Sequence, residues 1–356
     1  MMTNTPEAYM ARALELARRG RNTVSPNPMV GCILVKDQQV LAQGWHQRAG
    51  EPHAEVLALR ECGTAASGAT AYVTLEPCCH VGRTPPCTEA LIEAGVKTVY
   101  LACLDPNPLV AGKGKQALQA AGIEVKTGLL EAEAQQLNEI FFHYIQKRRP
   151  FVLAKWAMSL DGCTTTQPQD SRQISSPESQ QHTHELRQQM DAILVGAQTA
   201  LQDNPQLTAR APAGAATPVR QPLRVVLSSK GNLPLHLKLF SEDLPGNTLV
   251  ATTTAADPRW CSALEKQQVE VLRFPPNAAG EVDLVALLDL LGQRAVTSLL
   301  VEGGRSVHAR FFEQGLVNKL QVYMAPAVIA SLPKKQFFTQ VECQQFGQDF
   351  AFSVRL

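Results

Sequence analysis

The sequence predicts an α/β protein of two domains, because helix and strand patterns alternate through both halves of the chain. Its 356 residues, 45% of them hydrophobic and 18% charged, suffice for two cores of ordinary size. The alternation over residues 1–145 is typical of a three-layer α/β domain. A second series of buried strands begins after residue 150, and the halves show no internal repeat.

The elements of the first half follow from apolar spacing and from the residues that end them. Residues 9–19 form an amphipathic helix, and the apolar run at 30–36 predicts a buried strand with residues 39–46 as its hairpin partner. Pro52 opens a helix over 53–62, since a missing N–H costs nothing in the first turn. Further strands are predicted at 71–75, 99–103 and 124–126, and helices that end at glycines at 87–94 and 114–121.

The charged segment 146–150, which ends in proline, predicts the domain boundary. We therefore expect one domain over residues 1–148 and another over residues 149–356. Helical patterns separate most of the strands of the second half, and small residues at 211–218 indicate a surface loop. These strands are predicted at 151–156, 192–195, 223–228, 248–252, 269–274, 298–301 and 319–324.

Charge and composition exclude several classes of protein. The net charge is +1 and no basic run marks a nucleic-acid surface, so we expect no nucleic-acid partner. The first 20 residues carry acids and have no unbroken apolar core, and no stretch reaches the roughly 20 apolar residues of a membrane span. Nine cysteines, an odd number, are typical of reduced thiols in a cytoplasmic protein. We also expect a homo-oligomer, although no residue specifies the number of subunits.

Two short motifs together predict a zinc centre. His53-Ala54-Glu55 precedes Pro77-Cys78 and a later Cys87, which is the signature of the zinc nucleobase deaminases. One histidine and two cysteines on zinc leave the fourth tetrahedral position for water. Glu55 lies on the first turn of the same helix as His53, within reach of that water's proton. The alternatives are a structural zinc site or a set of buried thiols.

The spacing of the cysteines departs from that of simple deaminases. Eight residues separate Cys78 from Cys87, where those enzymes have two, and we expect the insertion to form a loop over the mouth of the site. Cys87 begins a helix, whose dipole favours the thiolate that a metal binds.

The motifs resemble those of the bifunctional deaminase–reductases of riboflavin biosynthesis. The matching stretches are His53-Ala54-Glu55, TLEPCCHVGRTPPC at 74–87 and PNPMVG at 26–31, and the resemblance runs through nearly the whole chain. It implies a cytidine-deaminase-like N-terminal domain and a dihydrofolate-reductase-like C-terminal domain. It also implies that Cys78 and Cys87 bind zinc while Cys79 does not. Substrate contacts are implied for Asn27, His46, His80 and Arg83, each of which is otherwise an ordinary polar loop residue.

The strongest motif of the second half is Gly303-Gly304, between a buried strand and a helix over 306–314. Backbone amides at such a helix start can hold a phosphate, although an ordinary turn has the same pattern. The chain has no Gly-x-Gly-x-x-Gly, and the motif at 112–115 lacks the spacing of a P-loop. The remaining cysteines lack sequence partners and are expected to be buried or surface groups: Cys32, Cys62, Cys103, Cys163, Cys261 and Cys343.

The resemblance also assigns the contacts of the reductase half. NADPH neighbours are Ala157, Ser175, Thr199, Asp203, Ser229, Gly303 and Gly304, and substrate neighbours are Ser171, Arg187, Leu207, Arg210 and Glu302. Arg187 and Arg210 suit a sugar phosphate. Gln173 and Ser228 depart from the family pattern, and Lys155 and Asp203 are candidate proton donors.

The expected function is therefore a pair of reactions on a pyrimidine ribosyl phosphate. The first half would deaminate 2,5-diamino-6-ribosylamino-4(3H)-pyrimidinone 5′-phosphate with Zn²⁺, and the second would reduce its ribosyl group with NADPH. A nucleic-acid base deaminase with an accessory domain and a non-catalytic zinc module that binds nucleotides are the alternatives. Ammonia release from the free pyrimidine separates them.

Overall fold

The chain forms two compact units in the computed structural model, which describes residues 4–79, 85–164, 174–211, 219–329, 336–337, 341–346 and 349–354. The first unit comprises Met1–Pro150 and Leu288–Thr297, and the second comprises Phe151–Leu287 and Ser298–Leu356. A short segment from the later half of the chain thus belongs to the first unit. A single domain boundary between residues 148 and 149 stays a prediction.

The first unit is built on a mixed sheet of five strands in the order β2-β1-β3-β4-β5. β1 is antiparallel to β2 and β3, whereas β3, β4 and β5 are parallel. The strands are β1 Gly31–Lys36, β2 Gln39–Trp45, β3 Thr70–Val73, β4 Thr98–Leu101 and β5 Glu124–Thr127. The helices are α1 Pro6–Arg18, α2 Ala54–Cys62, α3 Cys87–Glu93, α4 Lys113–Ala120, α5 Glu131–Leu137 and α6 Glu139–Lys147.

Alternate side chains of β1 face two separate apolar layers. Cys32 and Leu34 pack in a cluster with residues of α2, α3 and α4, and Ile33 and Val35 pack in a second cluster with residues of α1. Both faces of the sheet are therefore covered, which explains why the strand is apolar at nearly every position. The predicted three-layer α/β arrangement is confirmed. α5 and α6, which are seven and nine residues long, were not predicted.

The second unit is built on a parallel sheet of seven strands in the order β10-β9-β8-β7-β11-β6-β12. The strands are β6 Phe151–Ser159, β7 Ala192–Gly196, β8 Leu223–Leu227, β9 Thr248–Thr253, β10 Glu270–Phe274, β11 Ser298–Val301 and β12 Lys319–Ala325. Its helices are α7 Pro177–Gln189, α8 Ala197–Asp203, α9 Pro258–Lys266 and α11 Arg305–Glu313. α10 Leu284–Gln293 begins in this unit and continues into the segment that belongs to the first unit. Every predicted strand is present.

Two hairpins near the end of the chain were not predicted. β13 Ala327–Val328 pairs with β14 Gln336–Phe337, and β15 Val341–Phe346 pairs with β16 Asp349–Val354. Within the described ranges, no helix is both long enough and apolar enough to cross a membrane.

The helix that begins after His53 lies unusually close to β2, and Gly44 permits this approach. A Cβ atom at Gly44 would lie 2.4 Å from the Ala54 carbonyl oxygen and 2.8 Å from the Ala58 nitrogen. These are backbone atoms, so a side chain could be accommodated only by moving the helix. The start of α2, which carries Glu55, is therefore set by a glycine on the neighbouring strand.

Gly44→Ala should destabilise the first unit. The added methyl group has to push α2 away from β2, and overpacking of this kind costs about 1–3 kcal/mol. Thermal unfolding of the protein measures the effect. Gln39→Ala, at an exposed position of the same strand, is the control and should leave the unfolding midpoint nearly unchanged. An equal midpoint in Gly44→Ala would show that the helix has room to shift.

Candidate metal centre and catalytic sites

Three side chains from three separate places in the chain meet at one edge of the first unit. His53 is the N-cap residue of α2, Cys87 is the first residue of α3, and Cys78 follows the stretch after β3. One ligand atom from each lies within 4.8 Å of the other two. The Cys87 N–H donates to Cys78 Sγ at 3.3 Å, and the Thr88 N–H donates to the Cys78 carbonyl at 3.2 Å. The start of α3 thus fixes the position of Cys78.

The spacing of these atoms fits a tetrahedral zinc ion. His53 Nδ1 lies 3.6 Å from Cys78 Sγ and 3.2 Å from Cys87 Sγ. Zinc bonds of about 2.0 Å to nitrogen and about 2.3 Å to sulfur place those two atoms about 3.6 Å apart at a tetrahedral angle. The donor set of one imidazole and two thiolates is also the one that zinc prefers. The residues present therefore fit the metal, with one position left open.

Hydrogen bonding shifts the pKa values of the two cysteine thiols in opposite directions. The hydrogen bond from the Cys87 thiol lowers the pKa of Cys78 well below that of an ordinary thiol, with a further contribution from His53. The same hydrogen bond raises the pKa of Cys87. The hydrogen bond to Cys78 also raises the pKa of His53. Cys78 therefore carries the negative charge that attracts a cation to the centre.

Glu55 lies beside the ligands as a buried carboxyl group. Its residue is 3% exposed, and Oε2 has no hydrogen-bond partner among the described residues. Burial raises the pKa of Glu55 to about 7; His53 opposes that rise and the negative charge of Cys78 adds to it. A carboxyl group that exchanges a proton near neutral pH suits a general acid–base catalyst.

A cavity of about 430 Å³ opens onto the ligands. Asn27 and His46, two of the predicted substrate contacts, line it and are hydrogen-bonded to each other, with Asn27 Nδ2 3.1 Å from His46 Nε2. His46 Nδ1 lies 3.2 Å from the Pro52 carbonyl oxygen. Burial lowers the pKa of His46, so its neutral imidazole is favoured, donating to Pro52 and accepting from Asn27.

Several residues of the predicted loop lie elsewhere or outside the described residues. Cys79 Sγ lies 4.0 Å from the Leu109 carbonyl oxygen and does not join the ligand trio. His80 and Arg83 lie outside the described residues, as does Ser171 of the second unit. Other cavity-lining residues were not identified from the sequence: Glu76, Asp105, Asn107, Val110 and Phe141. The turn-forming composition of the stretch Asp105-Pro-Asn-Pro was the sequence feature that could have indicated a loop at this site.

The second unit gathers charged groups at the carboxyl end of β11. The Glu302 side chain is 8% exposed and accepts two hydrogen bonds from Arg187, at 2.7 and 2.8 Å, while Lys155 Nζ lies 3.9 Å away. Burial works against ionisation of Glu302, but the charge of Arg187 outweighs it and lowers the pKa. Burial lowers the pKa of Lys155, and the charge of Glu302 opposes this shift. Arg187 was expected to hold a phosphate; its guanidinium also neutralises this carboxylate.

The two glycines after Glu302 sit where neighbouring elements come closest. A Cβ atom at Gly303 would lie 2.5 Å from Val195 Cα, and one at Gly304 would lie 3.1 Å from Thr199 Oγ1. Gly304 has φ +81°, a conformation that favours glycine, and it is the N-cap of α11. The predicted cofactor contacts Thr199 and Gly304 are thus brought together at the start of a helix. The arrangement is a cradle that a side chain would fill, which fits a cofactor phosphate.

The remaining predicted contacts of this unit are more dispersed. Ser229 Oγ accepts from the Val282 N–H at 3.2 Å, and Arg210 donates to Gln206. Ser228, which departs from the family pattern, has a buried hydroxyl with no partner in the described part of the chain. The other positions are Ala157 on β6, Ser175 before α7, Asp203 at the end of α8 and the buried Leu207.

Comparison with known proteins gives matches over both halves. The sequence model of the RibD C-terminal domain family matches residues 150–355, and that of the cytidine and deoxycytidylate deaminase zinc-binding region matches residues 3–103. The chain is 43% identical to the riboflavin biosynthesis protein RibD of Actinobacillus pleuropneumoniae, covering 97% of this chain and 90% of that one. Identity to RibD of Escherichia coli is 45%, covering 91% of this chain and 89% of the relative.

Solved structures with the same fold agree with these matches. RibD of Acinetobacter baumannii has a TM-score of 0.81 at 38% identity, covering 98% of this chain and 97% of that one. A diaminohydroxyphosphoribosylaminopyrimidine deaminase/5-amino-6-(5-phosphoribosylamino)uracil reductase from Thermotoga maritima has a TM-score of 0.78 at 36% identity, with the same coverage. The predicted two-domain architecture is confirmed.

The geometry predicts which cysteines hold the metal. Cys78→Ser or Cys87→Ser should lose zinc, because each change removes a thiolate ligand. Cys79→Ser should retain about one zinc ion per chain, the content expected of a single site. Metal analysis of the purified variants measures this, with Cys79→Ser as the matched neighbour. Full zinc content in Cys78→Ser would contradict the ligand assignment.

Proposed function

Since the chain belongs to the RibD family of riboflavin biosynthesis proteins, it is a bifunctional deaminase and reductase, and we propose how its residues divide the two reactions. The first unit deaminates 2,5-diamino-6-ribosylamino-4(3H)-pyrimidinone 5′-phosphate. The second unit reduces the ribosyl group of the product to ribityl with NADPH. The observation that carries the first assignment is the buried Glu55 Oε2, which has no hydrogen-bond partner among the described residues and lies beside the three ligands at the wall of the cavity.

His53, Cys78 and Cys87 hold zinc in the deaminase unit. When bound, the metal supplies a Lewis acid that makes water nucleophilic near neutral pH. Glu55 Oε2 takes one proton of the attacking water and gives it to the pyrimidine ring nitrogen. It then takes the second proton, from the hydroxyl group added to the ring carbon, and gives it to the amine, which leaves as ammonia. The pKa of about 7 lets the same carboxyl group act as base and then as acid. Asn27 and His46 orient the ring, with Arg83 and His80 as further proposed contacts.

The reductase unit holds NADPH at the carboxyl ends of its parallel strands. NADPH supplies the hydride, so the protein has to orient the cofactor and the sugar. The Gly303-Gly304 turn and the start of α11 receive a phosphate of the cofactor. We assign further cofactor contacts to Ala157, Ser175, Thr199, Asp203 and Ser229, and substrate contacts to Ser171, Arg187, Leu207, Arg210 and Glu302.

We also propose a cellular compartment and an oligomeric state for the enzyme. All nine cysteines are free, which favours the reducing cytoplasm. We also propose that the protein is a homo-oligomer. Ammonia release and NADPH consumption, followed together on the pyrimidine substrate, test the assigned function. A protein that releases no ammonia from this free pyrimidine would contradict it.

Glu55→Gln should abolish deamination while leaving the metal in place. The change keeps the size of the side chain but removes the base, and general acid–base groups contribute about 10²–10⁴-fold in rate. Ammonia release measures the loss, and zinc analysis confirms that the site is intact. Reduction of the already deaminated intermediate, supplied directly, is the control and should proceed near its normal rate. Deamination at the original rate would exclude Glu55 as the proton carrier.

Gly304→Val should weaken NADPH binding. A branched side chain in this turn occupies the space next to Thr199 that we assign to the cofactor phosphate. Gly315→Val is the matched control: it has φ +63° and no neighbour within 4 Å of its Cβ, at the other end of the same helix. Fluorescence titration with NADPH compares the two. Equal affinities in both folded variants would remove the reason for placing the phosphate at Gly304.

A further inference from the structure

Glu76 is a buried carboxylate whose side chain, within the described part of the protein, accepts hydrogen bonds from backbone N–H groups. The residue is 4% exposed. Its Oε2 accepts from the N–H of Asp105 at 3.2 Å and of Gly112 at 2.9 Å, and its Oε1 accepts from the N–H of Lys115 at 2.9 Å. A carboxylate with three such donors is firmly held, and each hydrogen bond to an ionised acceptor is stronger than a neutral one.

The first two donors are the two ends of one wall of the deaminase cavity. Asp105, Asn107 and Val110 line that cavity. Between the ends, the Asn107 carbonyl oxygen accepts from Val110 at 2.8 Å and from Ala111 at 2.9 Å, so the segment is already folded on itself. One side chain therefore pins both ends of a compact segment, residues 105–112, which we call the cavity wall. Gly112 has φ +85°, which turns its N–H toward the carboxylate.

The same residue is tied to the strand that leads to the metal centre. Glu76 lies two positions before Cys78, and its own N–H donates to the Cys103 carbonyl at 3.1 Å. A Cβ atom at Gly114 would lie 2.3 Å from the Pro77 carbonyl oxygen, so α4 is packed directly on this stretch. This contact explains why position 114 is a glycine: a side chain there would push α4, and with it the cavity wall, away from the Glu76 carboxylate.

We propose that Glu76 is a positioning residue that holds the cavity wall in register with the metal centre. Its loss lets residues 105–112 shift relative to Cys78, so the pyrimidine binds less well although the zinc and its acid–base partner remain. The kinetic test of this proposal rests on the proposed deaminase function. The hydrogen bonds of Glu76 belong to the fold and do not depend on that function.

Glu76→Gln tests the proposal with the smallest change. The amide keeps one oxygen, which can serve Asp105 and Gly112, or Lys115, but it turns an N–H₂ group toward the remaining donor. The KM for the free pyrimidine in the ammonia assay should rise about tenfold, the effect of one lost charge-assisted hydrogen bond. The kcat should fall less than KM rises, and zinc content should not change. Hydrogen–deuterium exchange should speed up in peptides covering 104–115 and stay unchanged in those covering β1.

Leu118→Val is the control for general loosening of α4, because Leu118 is an apolar residue fully buried on that helix and forms no hydrogen bond with Glu76. It should lower the unfolding midpoint without raising KM. A similar rise of KM in Leu118→Val would assign the effect to stability and overturn the proposal. Loss of zinc in Glu76→Gln would overturn it as well, since the carboxylate would then hold Cys78 and not the wall.

Gly112→Ala carries the test if Glu76→Gln does not fold. No atom lies within 4 Å of its Cβ, so the change strains only the backbone conformation that presents the N–H to Glu76. KM should again rise, and an unchanged KM would overturn the proposal. If the wild-type protein releases no ammonia, the deaminase assignment fails, and the exchange experiment alone decides whether Glu76 holds the wall.

Discussion

The first unit depends on one geometric constraint: three ligand atoms from distant positions must meet within 4.8 Å. Two of them stand at helix starts, His53 before α2 and Cys87 in α3, so small movements of either helix would separate them. The close contact of α2 with Gly44 and the hydrogen bonds from α3 to Cys78 remove that freedom. Packing and hydrogen bonding thus hold the three ligand side chains close together, which is how a protein preorganises a site.

Three buried carboxyl groups illustrate how surroundings divide roles between chemically identical side chains. Glu55 has a carboxyl oxygen without a partner, and burial raises its pKa to about 7. Glu76 is satisfied by three backbone N–H groups, and Glu302 is paired with Arg187. A buried carboxyl oxygen without a partner is available to exchange a proton, whereas a carboxyl group whose oxygens accept from several donors holds its neighbours in place. Glu55, which alone among these three has an oxygen without a partner in the described part of the chain, is therefore the one suited to proton transfer.

Short-range patterns were sufficient to predict the strands of the two main sheets and to single out His53, Cys78, Cys87 and Glu55, which the fold brings together. Each of these is specified by residues close together in the sequence: apolar runs, His-x-Glu, and cysteines next to prolines. The sequence did not indicate the role of Glu76, although its motif was recognised, because its partners lie 29 to 39 positions away. Arg187 was expected to face a phosphate, and its pairing with Glu302 across 115 positions could not be foreseen. α5 and α6 were missed although α6 has amphipathic spacing, because short helices depend mainly on tertiary packing for their stability.

The two units reach preorganisation by different means, and the difference follows from what each reaction requires. Deamination needs a proton carrier and a cation in fixed contact, so the first unit places side chains at the starts of helices around a mixed sheet. Reduction obtains its reactivity from the cofactor, and the second unit supplies backbone at the carboxyl edge of a parallel sheet. In the second unit, Gly304 keeps a side chain away from Thr199 at the start of α11, and Gly303 lets the chain pack against Val195 of β7. In the first unit, Gly44 lets α2, which carries Glu55, approach β2, and Gly114 lets α4 approach the stretch that leads to Cys78.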